Sequence, residues 1–166
     1  MAYLVDANVF ISAKNLHYGF DFCPAFWDWL TVQNKAGVVY SIERVGDELE
    51  AGEDELATWA EEQGGDFFVP PDATLLPALG AVSTWATSQN YEPGAISTFF
   101  QVADYYLVGQ AYAGQHVVVT HERASGSTRK IKIPDACIGL GLKCVTPYEM
   151  LRNEQARFVL GPSPSR

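Results

Sequence analysis

The chain has 166 residues, of which 48% are hydrophobic, and a formal net charge of −9. This length suffices for one hydrophobic core, so we expect a single domain over residues 1–160 and a frayed tail over 161–166. The negative charge disfavours non-specific binding to nucleic acid, because such binding depends on Lys and Arg neutralising phosphates. With no charged leader before an apolar segment and no apolar run approaching the roughly 20 residues of a membrane helix, we expect a soluble cytoplasmic protein with no membrane partner.

Apolar residues, bounded by Gly and Pro, predict strands and helices in alternation along the chain. A short buried strand over 3–5 ends directly before Asp6. Ser41 is predicted to be the N-cap of the helix over 42–52. The β-branched run over 116–120 is typical of a central strand buried on both faces. The other predicted elements are strands at 38–41 and 143–146, a short strand at 131–133, and helices at 24–37, 42–52, 54–65, 73–89, 96–111, 135–141 and 147–154.

This alternation predicts an α/β fold, a three-layer α/β/α sandwich with a central parallel sheet. Neither G-x-G-x-x-G nor G-x-x-x-x-G-K-[ST] occurs in the chain, which argues against the common phosphate-binding loops. Cys23, Cys137 and Cys144 are odd in number and lack C-x-x-C spacing. We therefore expect reduced thiols rather than a disulfide framework or a structural zinc site.

Two acids directly follow predicted strands, where ligands of open parallel sheets bind. Asp6 follows the first strand and Glu122 follows Thr120 at the end of the strand over 116–120. Each acid alone also fits an ordinary turn or a helix N-cap. Their occurrence at two strand ends favours a site at the carboxyl edge of the sheet.

Two further acids lie on predicted helices. Asp104 stands among apolar residues of the helix over 96–111, and a buried carboxylate needs a metal, a proton or a partner. Glu48 precedes the core residue Leu49, with Arg44 one turn earlier as an ion-pair candidate. Glu48 fits a solvated surface charge equally well.

Four carboxylates from separate segments, with no histidine among them, match the oxygen ligands that Mg²⁺ and Mn²⁺ prefer. Such a site activates water and stabilises the charge of phosphodiester cleavage, which would let an acidic protein act on RNA. A basic segment directly after the fourth acid either contacts the phosphate backbone or is a solvated loop. Its cations are Arg123, Arg129, Lys130 and Lys132.

The order of "YLVDANVF", "SIERVGDELEAG", "ADYYLVGQA" and "VVVTHE" resembles the PIN-domain nucleases. The closing "KIPDACIGLGLKCVTPYEMLR" is similar to an uncharacterised bacterial PIN subfamily related to the VapC toxins, so that the resemblance covers nearly the whole chain. It implies a single PIN-like domain. The acids that it implies as catalytic are Asp6, Glu48, Asp104 and Glu122.

The same resemblance assigns supporting and metal-binding positions. Asn8 and Thr120 match polar residues near the metal of such nucleases, and Mg²⁺ or Mn²⁺ would be held by Asp6, Asp104 and Glu122. Glu122 stands where the family more often has Asp. Asp135 in "IPDAC" is then an additional metal-ligand candidate, with an N-cap of a short helix as the alternative.

The activity implied is that of a metal-dependent endoribonuclease, the toxin of a bacterial type II toxin–antitoxin pair. The partners implied are RNA, an antitoxin protein and a second copy of the chain. Aromatic residues concentrated over 20–29 exceed one helix face and fit either a contact with another chain or a large core under a loop. A catalytically inactive PIN-like binding or scaffolding module remains the alternative, whereas Asn8 argues against a haloacid-dehalogenase-like phosphatase, which needs an acid at that position.

Overall fold

A computed structural model describes residues 1–161, so residues 162–166 of the predicted tail lie outside the described residues. The strands are β1 (Tyr3–Val5), β2 (Val39–Ile42), β3 (Phe68–Val69), β4 (Val117–Val119) and β5 (Cys144–Val145). The helices are α1 (Ala7–Ser12), continued by a π-helical segment (Ala13–His17), α2 (Pro24–Lys35), α3 (Glu43–Glu50), α4 (Glu55–Gln63), α5 (Leu75–Ser88), α6 (Pro93–Gln101), α7 (Ala103–Gly114), α8 (Ile133–Leu140) and α9 (Pro147–Asn153).

The strands form one parallel sheet in the order β3-β2-β1-β4-β5, with helices packed around it as predicted for a three-layer α/β/α sandwich. Helices α1, α3 and α4 pack together, and α5, α7 and α8 form a second group. From β1, the strands β2 and β3 follow towards one edge of the sheet, and from β4 the strand β5 follows towards the other edge. The boundary between β1 and β4 is therefore the switch point at which open α/β sheets bind ligands.

The centre of the sheet is formed by the most apolar strands. Val118 and Val119 of β4 and Val5 of β1 are fully buried, as expected for parallel strands that are covered on both faces. Ser41 at the end of β2 is also buried, and its hydroxyl donates a hydrogen bond of 2.6 Å to the carbonyl oxygen of Val5. The predicted N-cap role of Ser41 is wrong, because Ile42 occupies the N-cap position of α3 and the Ser41 hydroxyl holds β1 against β2.

The predicted continuous helix over 96–111 is wrong in one respect. Val102 adopts an extended backbone, with φ −106° and ψ 163°, and separates α6 from α7. The periodic pattern continues across this break because apolar residues on both helices face the core. The break makes Asp104 the second residue of a new helix. The predicted short strand over 131–133 is absent among the described residues, and Ile133 instead begins α8.

The aromatic residues over 20–29 are mostly packed inside the molecule. Phe26 and Trp27 are buried, and the ring of Phe20 stacks on Trp27 with their centroids 4.1 Å apart. Trp29 is half-buried, whereas Phe22 is 65% exposed. A large core therefore accounts for most of this segment, with Phe22 left at the surface.

Two further expectations concern the cysteines and membrane-spanning helices. All three cysteines are free thiols, and Cys137 is buried. Within residues 1–161, no helix combines the length and the apolar character that crossing a membrane requires.

Candidate active site

Asp6 lies at the switch point of the sheet and is almost completely buried. Val5 and Val119 are partners in the β1–β4 register, and the Asp6 amide donates a hydrogen bond of 2.9 Å to the Val119 carbonyl oxygen. The side chain of Asp6 is only 3% exposed. Asp6 occupies the N-cap position of α1, but within residues 1–161 its side chain makes no capping hydrogen bond. The carboxylate is therefore directed to other groups.

Thr120 links the two acids that follow the central strands. Its buried hydroxyl donates a hydrogen bond of 2.9 Å to the Asp6 Oδ2 atom and accepts one of 3.1 Å from the Glu122 amide. The Thr120 amide is itself held by the Val145 carbonyl oxygen at 3.0 Å. Thr120 thus orients the Asp6 carboxylate, and its supporting role near a metal stays a prediction.

Asp104 lies in the first turn of α7, half-buried, because the chain breaks at Val102. An acid in the first turn interacts favourably with the unpaired amides and the positive end of the helix dipole. This position lets the fold retain a carboxylate on an otherwise apolar helix.

The charges of the four predicted acids act on one another. Burial and the neighbouring charge of Asp104 raise the pKa of Asp6 to about 7, partly opposed by the hydrogen bond from Thr120, and the charge of Glu122 raises it further. Burial and Glu122 likewise raise the pKa of Asp104 to about 6, with Glu48 adding to the rise. These mutual effects place the four acids in one electrostatic cluster, which we call the acid cluster.

Glu122 is held by contacts of both of its carboxylate oxygens. Its Oε2 atom accepts a hydrogen bond of 2.8 Å from the Ile133 amide, and its Oε1 atom lies 3.7 Å from the Lys130 ammonium. Only 11% of the Glu122 side chain is exposed. The longer side chain of Glu122 is therefore used to reach the N-terminus of α8 as well as the acid cluster.

Asp135 has a different environment. Its Oδ2 atom accepts a hydrogen bond of 3.1 Å from the Ser125 amide, and its charge raises the pKa of Tyr91, for which burial is the larger cause. It lies in the first turn of α8 without being the N-cap, which is Lys132. Glu122, rather than Asp135, is the acid whose charge acts on both Asp6 and Asp104.

The two more peripheral predicted residues lie at the surface. Glu48 is exposed on α3, and Asn8 is exposed on α1. Within residues 1–161, Arg44 forms no ion pair with Glu48; its guanidinium instead lies 3.6 Å from the centre of the Tyr106 ring. Glu48 is consequently free of a local counter-ion on its own helix.

A cavity of about 430 Å³ opens beside the acid cluster. Glu48 and Asp104 lie on its acidic side, and Arg129 and Lys130 on its basic side. Arg129 and Lys130 are exposed, at 86% and 61% of their side chains, and Lys130 lowers the pKa of Asp104. Lys130 thus reaches the acid cluster and Arg129 lines the cavity beside it, whereas Arg123 is exposed on the loop and Lys132 precedes α8.

A group of aromatic and imidazole rings next to Glu122 was missed by sequence reasoning. The rings of His17 and His121 have centroids 5.5 Å apart, and the Tyr148 hydroxyl lies 3.1 Å from Nε2 of His17. Burial and the charge of His17 lower the pKa of His121, which favours the neutral imidazole near neutral pH. These residues come from three distant segments, and no spacing in the sequence connects them.

The acid cluster fits a hard divalent cation in its donor chemistry. All of its candidate ligands are carboxylate oxygens, and after burial the neighbouring acids are the next cause of the raised pKa of Asp6 and Asp104, which Lys130 partly opposes at Asp104. In the described part of the chain, however, no three Asp, Glu, His or Cys side chains stand close enough to hold one ion. Binding an ion therefore requires the acids to move closer together than they stand.

Comparison with known proteins gave one match. A family model described as "Domain of unknown function (DUF4411)" matches residues 3–158, nearly the whole chain. No curated protein and no solved structure matches the chain.

Proposed function

This chain belongs to the DUF4411 family, and we propose that it is a metal-dependent endoribonuclease that acts at the acid cluster. The observation that carries the proposal is the buried Asp6 carboxylate at the switch point, whose pKa is raised by burial and by the charges of Asp104 and Glu122. Such an arrangement costs folding free energy unless a cation or a proton relieves it. Acids that are retained at this cost are typical of functional sites.

Mg²⁺ or Mn²⁺ supplies charge stabilisation for the cleaved phosphodiester and a lowered pKa for a bound water. Asp6, Asp104 and Glu122 would hold the ion. Glu48, which is exposed and faces the same cavity as Asp104, would either bind it or orient the attacking water. Asn8, exposed on α1 two residues after Asp6, is a further polar contact for substrate or water.

The other residues of the site position the acids and the substrate. Thr120 holds the Asp6 carboxylate in one orientation through a hydrogen bond of 2.9 Å. The Ile133 amide and Lys130 hold Glu122. Lys130 and Arg129 line the cavity and would neutralise phosphates of the RNA backbone, with Arg123 and Lys132 extending this contact along the loop.

The biological role included in this proposal is that of a toxin in a type II toxin–antitoxin pair, acting in the cytoplasm. Its support is the resemblance to PIN-domain nucleases related to VapC toxins. An antitoxin protein would then cover the acid cluster, and two copies of the chain would form a dimer. Phe22, an aromatic side chain exposed at the surface, is a candidate contact in either interface.

The test combines metal binding and RNA cleavage. Calorimetry with Mn²⁺ and Mg²⁺, and cleavage of a structured RNA pool in the same buffers, are measured for the wild type, Asp6→Asn, Glu122→Gln and Asp135→Asn. We expect binding and cleavage to be lost together in the first two variants and kept in Asp135→Asn. An Asp6→Asn protein that still cleaves RNA would contradict the metal assignment.

A second candidate function is a binding module without catalysis. It is favoured by the finding that, within residues 1–161, no three potential ligands stand close enough to hold one ion. A wild-type protein that neither binds Mn²⁺ or Mg²⁺ nor cleaves RNA would support this second function.

A further inference from the structure

The cavity beside the acid cluster has mostly apolar walls, although two acids and two cations stand around it. Its walls are contributed by the α6–α7 junction and by the residue before Lys132. The apolar members are Ala95, Phe99, Val102, Ala103 and Ile131. Its volume of about 430 Å³ lies within the range of sites that bind small molecules, about 300–1,000 Å³.

The floor of the cavity is buried, whereas its rim is exposed. Phe99 and Ile131 are each only 3% exposed, and Phe99 packs against Tyr105 with ring centroids 5.6 Å apart. Val102 is 38% exposed and Thr98 is exposed at the rim. A flat apolar group therefore has an exposed wall to contact, and it gains burial without any rearrangement of the core.

The charges around the cavity indicate which charged group would accompany a flat apolar group bound there. Arg129 and Lys130 stand on one side in a protein whose net charge is −9, and each of their partners is an acid at a long distance, 3.9 Å for Glu92 and 3.7 Å for Glu122. Long and exposed ion pairs exchange partners at little cost. The Arg129–Glu92 pair is exposed on both sides, so a phosphate can replace Glu92. Lys130 is 61% exposed and can contact a phosphate with ammonium donors that its 3.7 Å contact with the mostly buried Glu122 does not use.

We propose that this cavity binds an unpaired base of the RNA substrate, next to the phosphate that is cleaved at the acid cluster. The proposal rests on the proposed nuclease function and adds to it a site that holds one base beside the cleaved phosphate. Apolar walls suit the face of a base, and the two cations suit the phosphates on either side of it. A base within a duplex is stacked between its neighbours and does not enter a pocket of this kind.

The experiment fills the cavity from its exposed rim. Thr98→Trp places a large ring at the mouth, Thr98→Ala removes the hydroxyl but leaves the cavity open, and Ser97→Trp puts the same ring on the adjacent exposed position, which does not line the cavity. Each change is made in the Asp6→Asn protein, so that binding is measured without cleavage. The probes are an RNA trinucleotide and its counterpart without the central base.

Loss of the central base is expected to weaken binding to the parent protein and to the Thr98→Ala and Ser97→Trp variants by about tenfold, because stacking of one base contributes on that scale. Thr98→Trp is expected to bind both probes equally weakly. Thermal melting of each variant verifies that it is folded. Equal binding of both probes by the parent protein, or an unchanged preference in folded Thr98→Trp, would overturn the base site and leave the cavity to another occupant, such as a segment of a partner protein.

The same variants distinguish this proposal from the proposed function. In the presence of Asp6, the folded Thr98→Trp protein is expected to cleave RNA more slowly and to lose its preference for single strands over duplexes. If the wild type cleaves no RNA but the Asp6→Asn protein shows the base preference, the nuclease assignment fails and the base site stands. If the wild type cleaves RNA and the folded Thr98→Trp protein cleaves it at the same rate, the base site fails and the nuclease assignment stands.

Discussion

Replacing Asp6 by Asn is expected to stabilise the folded protein above neutral pH while abolishing cleavage. The carboxylate is 3% exposed, and burial together with the Asp104 charge raises its pKa to about 7. An ionised Asp6 is therefore less favourable in the folded chain than in the unfolded one. Asn has the same shape and carries no charge, so that this cost disappears.

The size of the effect follows from the pKa. A rise from 3.8 to about 7, at about 1.4 kcal/mol for each pH unit, makes full ionisation of Asp6 cost about 4 kcal/mol of folding free energy. Asn keeps an acceptor for the Thr120 hydroxyl, but its buried NH₂ group is a donor where the carboxylate has an acceptor, which we take to cost about 1 kcal/mol. We expect a net gain of about 2–3 kcal/mol at pH 8.

The sign of the pH dependence is opposite to that of most aspartates. Because the folded pKa of Asp6 lies above the unfolded value, the folded state binds the proton more tightly between about pH 4 and pH 7. The contribution of Asp6 to stability therefore falls as the pH rises through this window. Below pH 4 the group is mostly protonated in both states, so only the cost of the Asn side chain remains, and Asp6→Asn should be about 1 kcal/mol less stable than the wild type.

Urea unfolding of the wild type and Asp6→Asn at pH 4, 6 and 8 measures the difference directly. Asp28→Asn, a change at an exposed position of α2, is the matched control and should give a difference near zero at every pH. Addition of Mn²⁺ at pH 8 should raise the stability of the wild type more than that of Asp6→Asn. A difference between the two proteins that does not grow between pH 4 and pH 8 would refute the reasoning.

Three further changes test other parts of the site. Asp104→Asn should also lose cleavage and gain stability at pH 8, by less than Asp6→Asn, because its pKa is raised only to about 6. Lys130→Ala removes the cation that lowers the pKa of Asp104, so the acidic limb of the pH–rate profile should move to higher pH. Gly46→Ala places a Cβ atom 2.8 Å from Cγ of the buried Phe68 side chain and should lower the free energy of unfolding, measured in urea, by about 1–3 kcal/mol. In the control Gly80→Ala, the added Cβ atom meets nothing within 4 Å and should not destabilise the protein.

The residues at the strand ends could be predicted from the sequence because the signal is local. Short apolar strands end directly before Asp6 and before Thr120, and parallel strands of one sheet end at the same edge. The fold class follows from the same alternation of strands and helices. The nuclease assignment depends in addition on a family resemblance and stays a prediction.

The break at Val102 could not be predicted from the apolar pattern. Hydrophobic periodicity reports which side chains face the core, and α6 and α7 both direct apolar residues inward. Val102 is neither Gly nor Pro, so that no local signal marks its extended backbone. Packing of the two helices against the rest of the domain decides the break, and with it the position of Asp104 in a first turn.

Side-chain partners likewise depended on tertiary contacts. Arg44 was a candidate ion-pair partner of Glu48, but it lies over the Tyr106 ring because α7 passes beside α3. Asp135 was an additional metal-ligand candidate beside Glu122, and only the loop after β4 brings Glu122 to the acid cluster while Asp135 contacts the Ser125 amide.

By itself, the sequence determined the α/β class, the central strands and the kind of donor atoms available, since these depend on residue type and short-range pattern. Tertiary structure alone decided which carboxylates are buried and which charges act on one another. The physical reason is that a pKa depends on burial and on distances through space, and β1–β4 pairing sets these for Asp6 and Glu122. Thr120, 114 residues from Asp6 along the chain, becomes its hydrogen-bond donor through that pairing.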